Sequence, residues 1–252
     1  MLELEKEIFK TKRLKRAIFG FLPTLIICHW ISPFISAFAI KKKISPNALT
    51  VLMIPFSIVA AVLFSLPFWY VKIAGALLIH IWYTLDISDG EVARFTKNFS
   101  KYGTELDFLA HQICHIVLIV AFAINLYQLN LYKTTYILLV MSGLIFAEYS
   151  FRNICSIEVL FARKDNQPAT SSNEGGSKKS NRFLLIIKKT IGLVFGTFHC
   201  ADNYFLIGSI IVFVDIFFKT HCLFILSIII IIVTLLNCFF ITIRLLHKAV
   251  KN

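Results

Sequence analysis

The chain has 252 residues, of which 58% are hydrophobic and 16% are charged, and its mean hydropathy is +0.77. This composition excludes an ordinary soluble domain and indicates a membrane protein. The formal net charge of +12 would suit nucleic acid, but no nucleic-acid-binding motif is present. The basic residues lie beside apolar runs, where anionic lipid headgroups are the expected partners. We therefore expect contacts with membrane lipids and none with nucleic acid.

Residues 1–40 are predicted to form an N-terminal interfacial segment. Within it, residues 1–20 place a series of Lys and Arg side chains among Ile, Phe and Leu, which is the composition of an amphipathic helix on a membrane surface. Residues 21–40 are apolar enough to insert, but two prolines and a histidine interrupt them and positive charge flanks both ends. We assign this second part to an interfacial or shallow position.

Residues 41–252 are predicted to form one transmembrane domain. Six apolar runs are long enough to cross a bilayer, and they lie near residues 48–68, 70–88, 104–130, 134–160, 200–218 and 222–246. Residues 163–182 are rich in Ser, Gly and Asn, so we interpret them as a flexible loop. The expected fold class is an all-α integral membrane protein with about six transmembrane helices and an N-terminal interfacial amphipathic helix.

Lys and Arg residues near the predicted spans are distributed unevenly. They are numerous before the first span and after the second, fourth and sixth, whereas the opposite loops contain only Lys72, Lys133 and Lys219. Because cytoplasmic loops carry an excess of Lys and Arg, this asymmetry predicts that both termini and the loop after the second span face the cytoplasm.

Acidic residues at the ends of apolar segments are the strongest functional signal. Asp86 and Asp89 lie at the end of the second predicted span, and Asp107 and His111 lie at the start of the third. Ionisable groups at membrane depth are rare unless they face a cavity or bind something. On a helix, residues three or four apart share a face. Two such helix ends brought together would form an oxygen-rich site for Mg²⁺ or Mn²⁺.

The region around these acids resembles the signature of the CDP-alcohol phosphatidyltransferase family. The signature reads Asp, two residues, Asp-Gly, two residues, Ala-Arg, eight residues, Gly, three residues, Asp, three residues, Asp. The chain matches it in register at Asp86, Asp89, Gly90, Ala93, Arg94, Gly103 and Asp107. At the last position His111 replaces the fourth aspartate of the family. Residues 46–50 also resemble the Pro-Asn-x-x-Thr sequence that the family has at the start of the preceding span.

The resemblance implies a metal-dependent site. Asp86, Asp89 and Asp107 would bind a pair of divalent cations, Mg²⁺ or Mn²⁺, and the cations would hold the diphosphate of a CDP-alcohol. The fourth aspartate of the family acts as the base. His111 can accept a proton near neutral pH and can also bind a metal through one nitrogen, so it is a candidate for both roles.

The resemblance also implies a nucleotide site. Gly90 and Ala93 would let the cytidine nucleotide approach the helix, although small residues also permit close helix packing. Arg94 would contact phosphate or neutralise the aspartates, or it would act only as an anchor on the positively charged side. For the acceptor, Arg152 and Asn153 in the fourth span are candidates, although Arg152 is also placed to pair with Glu148 four residues earlier.

The implied protein is a transferase that moves a phospho-alcohol group from a CDP-alcohol donor to an acceptor hydroxyl and releases CMP. Such a reaction belongs to phospholipid or related glycoconjugate biosynthesis, and the resemblance also implies a homodimer. The signature does not specify which alcohol or which acceptor is used.

Other functions stay open from the sequence. A catalytically silent homologue that binds nucleotide is suggested by the missing fourth aspartate. A transporter is disfavoured because the acids cluster at one face of the membrane instead of along a path through it. Asp107, His111 and His115 recur every four residues, a stripe that would favour a softer ion such as Zn²⁺. His115 is otherwise expected to be a packed core residue.

Overall fold

The computed structural model describes residues 28–164 and 201–251, and all regular structure in these two ranges is helical. This confirms the all-α fold class. The seven helices described are α1 (His29–Lys41), α2 (Pro46–Ser65), α3 (Trp69–Thr96), α4 (Gly103–Gln128), α5 (Thr134–Lys164), α6 (Ala201–Phe218) and α7 (Cys222–Lys251).

Five of these helices, α2, α3, α4, α5 and α7, are long and apolar enough to cross a membrane. They correspond to five of the six predicted spans, so a multi-pass membrane protein is confirmed. The remaining predicted span, residues 200–218, corresponds to α6, an apolar helix of 18 residues that is not among the five. A sixth crossing therefore stays a prediction.

Helix α3 is longer than the predicted span at residues 70–88. It continues to Thr96 and ends where Lys97 adopts a left-handed conformation with φ of 54°. The helix continues past the apolar run because the residues after Gly90 include good helix formers. The whole stretch from Asp86 to Arg94 therefore lies on one continuous helix.

All but the last residue of helix α1, Lys41, lies within the segment predicted to be interfacial. Its 13 residues rise about 20 Å at 1.5 Å per residue, which is less than the hydrocarbon thickness of about 30 Å. Pro33 is accommodated inside the helix and does not interrupt it. The predicted amphipathic helix at residues 1–20 and nearly all of the predicted loop at residues 163–182 lie outside the described residues.

Aromatic packing joins α6 to the centre of the bundle. The ring of Phe122 on α4 lies 5.1 Å from that of Tyr204 and 5.8 Å from that of Phe205, both on α6. Phe64 on α2 also contacts Phe122, with 5.1 Å between ring centroids. These four side chains are almost fully buried, so they pack α2, α4 and α6 together in the core of the bundle.

A buried lysine ties together the end of the bundle opposite the motif. Lys72, which the charge distribution placed in a loop, lies inside α3 and is only 2% exposed. Its ammonium donates to the carbonyl of Phe64 at 3.1 Å, to Asn125 Oδ1 at 2.6 Å and to Gln128 Oε1 at 2.7 Å. Gln128 in turn donates to the carbonyl of Ser65. The cluster thereby satisfies carbonyls that the end of α2 leaves without helical partners.

Close contact between α2 and α3 at Gly75 gives a test of this packing. A Cβ atom at Gly75 would lie 2.5 Å from the backbone nitrogen of Phe64. We expect Gly75→Ala to separate the helices and lower the free energy of unfolding by on the order of 1–3 kcal/mol, the usual effect of overpacking. Thermal unfolding in detergent would measure the change.

Gly143→Ala is the matched control. A Cβ atom at Gly143 would meet only the end of the Ile231 side chain, at 2.9 Å, and that side chain can rotate away. Because alanine favours a helix over glycine by about 1 kcal/mol, this variant should be neutral or more stable. Equal destabilisation by the two substitutions would contradict the close α2–α3 contact.

Candidate active site

The residues of the motif meet where the second half of α3 lies beside the start of α4. Asp86 Oδ1 lies 3.4 Å from His111 Nε2, and Asp107 Oδ1 lies 3.2 Å from His111 Nδ1. Each of these three residues offers a ligand atom, and the three atoms lie within 4.8 Å of one another. Three of the four predicted metal ligands are therefore brought together, on two helices.

Asp89, the fourth predicted ligand, is positioned by α2. Its Oδ2 atom accepts a hydrogen bond of 2.7 Å from Thr50 Oγ1, and Thr50 is buried near the start of α2. The backbone N–H of Gly90 also donates to the Asp89 carboxylate, so two hydrogen bonds restrain this side chain. Thr50 was not predicted as a site residue, although the resemblance of residues 46–50 to a family sequence was the available signal.

The donor set suits a divalent cation. Asp86, Asp89 and Asp107 lie close enough to repel one another electrostatically, and a bound cation would relieve that repulsion. Carboxylate oxygens are the ligands that Mg²⁺ and Mn²⁺ prefer, and an imidazole nitrogen extends the range to other transition metals. The side chains present therefore fit the metal that the motif implies.

Arg94 covers the small residue in the motif. A Cβ atom on Gly90 would lie 2.9 Å from Nη1 of Arg94, so the guanidinium folds back over the glycine one turn earlier. Arg94 is exposed and Ala93 is half-buried. The arrangement places the positive charge of Arg94 over a helix surface that Gly90 leaves without a side chain.

Glu91, inside the motif, was missed by the sequence reasoning. It is 5% exposed and accepts hydrogen bonds from two serines of α1, Ser32 at 2.9 Å and Ser36 at 2.6 Å. Ser88 also donates to the backbone carbonyl of Ser32, at 3.3 Å. These contacts fasten α1 to the part of α3 that carries the aspartates. The only sequence signal for Glu91 was the presence of a further acidic residue within the motif.

A second charged cluster lies one turn deeper along α4. Buried His115 lies 2.7 Å from Glu148 Oε1 through Nδ1 and 2.8 Å from Asp202 Oδ1 through Nε2. His115 lies in the core as expected, at 1% exposure, and in addition two carboxylates from α5 and α6 converge on its imidazole. The sequence could not indicate this convergence, since Asp202 is 87 residues away.

The predicted candidates for acceptor contact lie near this second cluster. Arg152 Nε donates to Glu148 Oε1 at 2.5 Å, so the pairing considered from their spacing is present. The Arg152 guanidinium also lies against the imidazole of His115, at 3.2 and 3.3 Å from its two nitrogens. Asn153 is exposed on α5. A contact of Arg152 or Asn153 with an acceptor stays a prediction.

Trp82 and Phe205 form an apolar wall beside the two histidines. The ring centroid of Trp82 lies 6.1 Å from that of His111 and 5.7 Å from that of His115. Phe205 lies 5.1 Å from His115. Both aromatic side chains are fully buried, so they screen this side of the site from solvent.

Comparison with known protein families gives a match over most of the chain. Residues 43–218 match the sequence profile of the CDP-alcohol phosphatidyltransferase family. The match begins just before α2 and ends with α6, so it includes the motif and the helices that carry the second cluster. No curated protein matches the chain.

Proposed function

Because the chain belongs to the CDP-alcohol phosphatidyltransferase family, we propose that it transfers a phospho-alcohol group from a CDP-alcohol donor to an acceptor hydroxyl and releases CMP. The observation that carries this proposal is the meeting of Asp86, Asp107 and His111 within 4.8 Å. The reaction would serve phospholipid or related glycoconjugate biosynthesis.

In the proposed site Asp86, Asp89 and Asp107 bind Mg²⁺ or Mn²⁺, with a two-metal arrangement as the family resemblance implies. Bound divalent cations stabilise the attacking and leaving oxygens of phosphoryl-type transfer. Thr50 restrains Asp89 through its hydrogen bond. Arg94, with Gly90 and Ala93, would contact the nucleotide on the same helix surface.

The proposed reaction is a displacement at phosphorus. The acceptor oxygen forms a bond to the phosphorus that bears the alcohol, and the bond from that phosphorus to the oxygen bridging to CMP breaks. CMP leaves with the electron pair, and the hydroxyl proton goes to a base.

His111 is the proposed base. Its Nδ1 atom lies 3.1 Å from the backbone carbonyl of Asp107, which can only accept a hydrogen bond. Nδ1 therefore carries the hydrogen in the neutral ring, and Nε2 is the nitrogen that can take the proton. The alternative function, a silent homologue that binds nucleotide, is favoured by the same residue, since the family has an aspartate there.

We also propose that the motif and both termini face the cytoplasm, and that the chain forms a homodimer. The charge asymmetry of the loops supports the orientation, and the family resemblance alone supports the dimer. Membrane lipids surround the spans, and Arg152 and Asn153 remain candidates for acceptor contact.

Asp86→Asn and Asp107→Asn are each expected to abolish CMP release, because each removes a charged metal ligand. CMP release would be followed with purified protein and a panel of CDP-alcohols. Glu105→Gln is the matched control, since Glu105 is an exposed acid in the first turn of α4. If either aspartate variant releases CMP at the parental rate, the metal assignment is wrong.

Substitution of His111 tests whether this residue acts as the base or has only a structural role. His111→Ala should lower CMP release by on the order of 10²–10⁴-fold, the usual contribution of a positioned base, whereas His111→Asp restores the family residue and should retain turnover. Full activity of the alanine variant would refute the role as base. A parent protein inactive with every donor, together with an active His111→Asp variant, would favour the silent homologue.

Cysteine accessibility tests the orientation. In a background without native cysteines, Lys101→Cys should react with a membrane-impermeant maleimide only from the cytoplasmic side. Lys133→Cys, on the loop between α4 and α5, should react only from the opposite side. Both lysines are exposed. The reverse pattern would overturn the topology.

A further inference from the structure

His111, His115 and Asp202 form a second group of possible metal ligands beside the motif. Each contributes one ligand atom, and the three atoms lie within 4.8 Å of one another. The histidines are one turn apart on α4, with ring centroids separated by 5.4 Å, and Asp202 reaches them from α6. All three are buried, at 6%, 1% and 8% exposure respectively. Two nitrogens and a carboxylate therefore converge inside the bundle.

Both imidazoles are oriented as metal ligands usually are. His111 Nδ1 faces the carbonyl of Asp107 at 3.1 Å, and His115 Nδ1 faces Glu148 Oε1 at 2.7 Å. A carbonyl and a carboxylate only accept hydrogen bonds, so both Nδ1 atoms carry a hydrogen. The Nε2 lone pair of His111 then remains for an ion. His115 Nε2 lies 2.8 Å from Asp202 Oδ1, so it carries a hydrogen in the absence of an ion and offers its lone pair once that hydrogen is released. A histidine ligand that donates its other nitrogen to a carboxylate or carbonyl is the common arrangement at metal sites.

We propose that this chain binds a transition-metal cation of the Zn²⁺ class through His111 Nε2, His115 Nε2 and Asp202, at a position that adjoins the carboxylate site for Mg²⁺ or Mn²⁺ and shares His111 with it. Asp86, whose Oδ1 lies 3.4 Å from His111 Nε2, is the nearest further ligand. Zinc ligands lie about 2.0–2.2 Å from the ion and are usually four in number. Small side-chain rotations would bring these atoms to that distance.

The chemistry of the donors selects the ion. Imidazole suits Zn²⁺, Cu²⁺, Fe²⁺ and Ni²⁺, whereas Mg²⁺ prefers carboxylates and water. Neither imidazole is part of the family signature. His111 stands where the signature has its last aspartate, and His115 lies four residues after the signature ends. The apolar wall of Trp82 and Phe205 favours a ligand-rich, water-poor site.

The charges around the group also favour a cation. With both imidazoles neutral, as they are when they bind a metal, Asp86, Asp89, Asp107 and Asp202 place four negative charges in electrostatic contact. The neighbouring Glu148 is paired with Arg152, so these two contribute no net charge. In the absence of a cation, a hydrogen on His115 Nε2 bridges to Asp202, and metal binding would replace it with release of a proton.

Metal binding by the purified full-length protein tests the proposal without reference to transfer activity. After removal of metal with a chelator, one equivalent of Co²⁺ should produce the intense visible absorption of a four-coordinate ion, and excess Mg²⁺ should not displace it. An octahedral spectrum, or displacement by Mg²⁺, would overturn the proposal. So would a thiolate-to-cobalt charge-transfer band, which would place the ion on cysteine.

Substitutions locate the ion. His115→Gln and Asp202→Asn should each weaken Zn²⁺ binding by more than about 100-fold, and Glu148→Gln, which removes only a supporting contact, by on the order of 10–100-fold. His80→Gln is the matched control, because His80 is a half-buried histidine that contacts the Ala76 carbonyl. Unchanged Zn²⁺ affinity in both His115→Gln and Asp202→Asn would refute the site. The Co²⁺ spectrum is recorded on the unsubstituted protein, so it tests the proposed metal site even where a variant fails to fold.

Occupation of this site would affect the proposed reaction. A cation on His111 Nε2 takes the lone pair that the reaction needs for the proton, so Zn²⁺ should inhibit CMP release in a protein that is active with Mg²⁺. If the chain is instead a silent homologue, the binding results above are unaffected. Failure of the transferase proposal and failure of the metal site are thus distinguishable.

Discussion

The burial of charge within apolar helices is the constraint on which the rest of the structure depends. An acid or a lysine at the centre of a membrane helix is unfavourable by about 2.5–3.5 kcal/mol on insertion scales, so each needs a partner from another helix. In the described part of the chain these partners come from every helix that surrounds α3 and α4. Helix packing and site geometry are therefore set by the same contacts.

The two ends of the α2–α3–α4 unit meet this constraint in different ways. At one end Lys72 is surrounded by carbonyl and amide oxygens that satisfy its donors. At the other end several carboxylates crowd around His111 and His115, and Arg152 pairs with one of them, Glu148. An end with satisfied donors is suited to hold helices together, whereas an end where carboxylates cluster is suited to bind cations.

Local features of both the fold and the site could be predicted from the sequence. Apolar runs identified the long helices, and the spacing of Asp86, Asp107 and His111 was sufficient to expect two helix ends that meet. The contacts that complete the site could not be predicted, because they join distant parts of the chain. Thr50 reaches Asp89 across 39 residues, and Ser36 reaches Glu91 across 55. Asp202 reaches His115 across 87 residues. These separations along the sequence do not follow from helical periodicity, so a single sequence does not reveal the contacts.

The substitution at His111 changes more than the identity of a base. A carboxylate offers two oxygens, so one can bind a metal while the other accepts a proton. The imidazole at this position has only Nε2 to offer, because its Nδ1 hydrogen is directed to the carbonyl of Asp107. The same lone pair must then serve either proton transfer or metal binding, and not both at once. His115 and Asp202 lie close to that lone pair. With histidine at position 111, the three residues therefore offer a cation two imidazole nitrogens and a carboxylate, whereas an aspartate there would leave only one imidazole in the group.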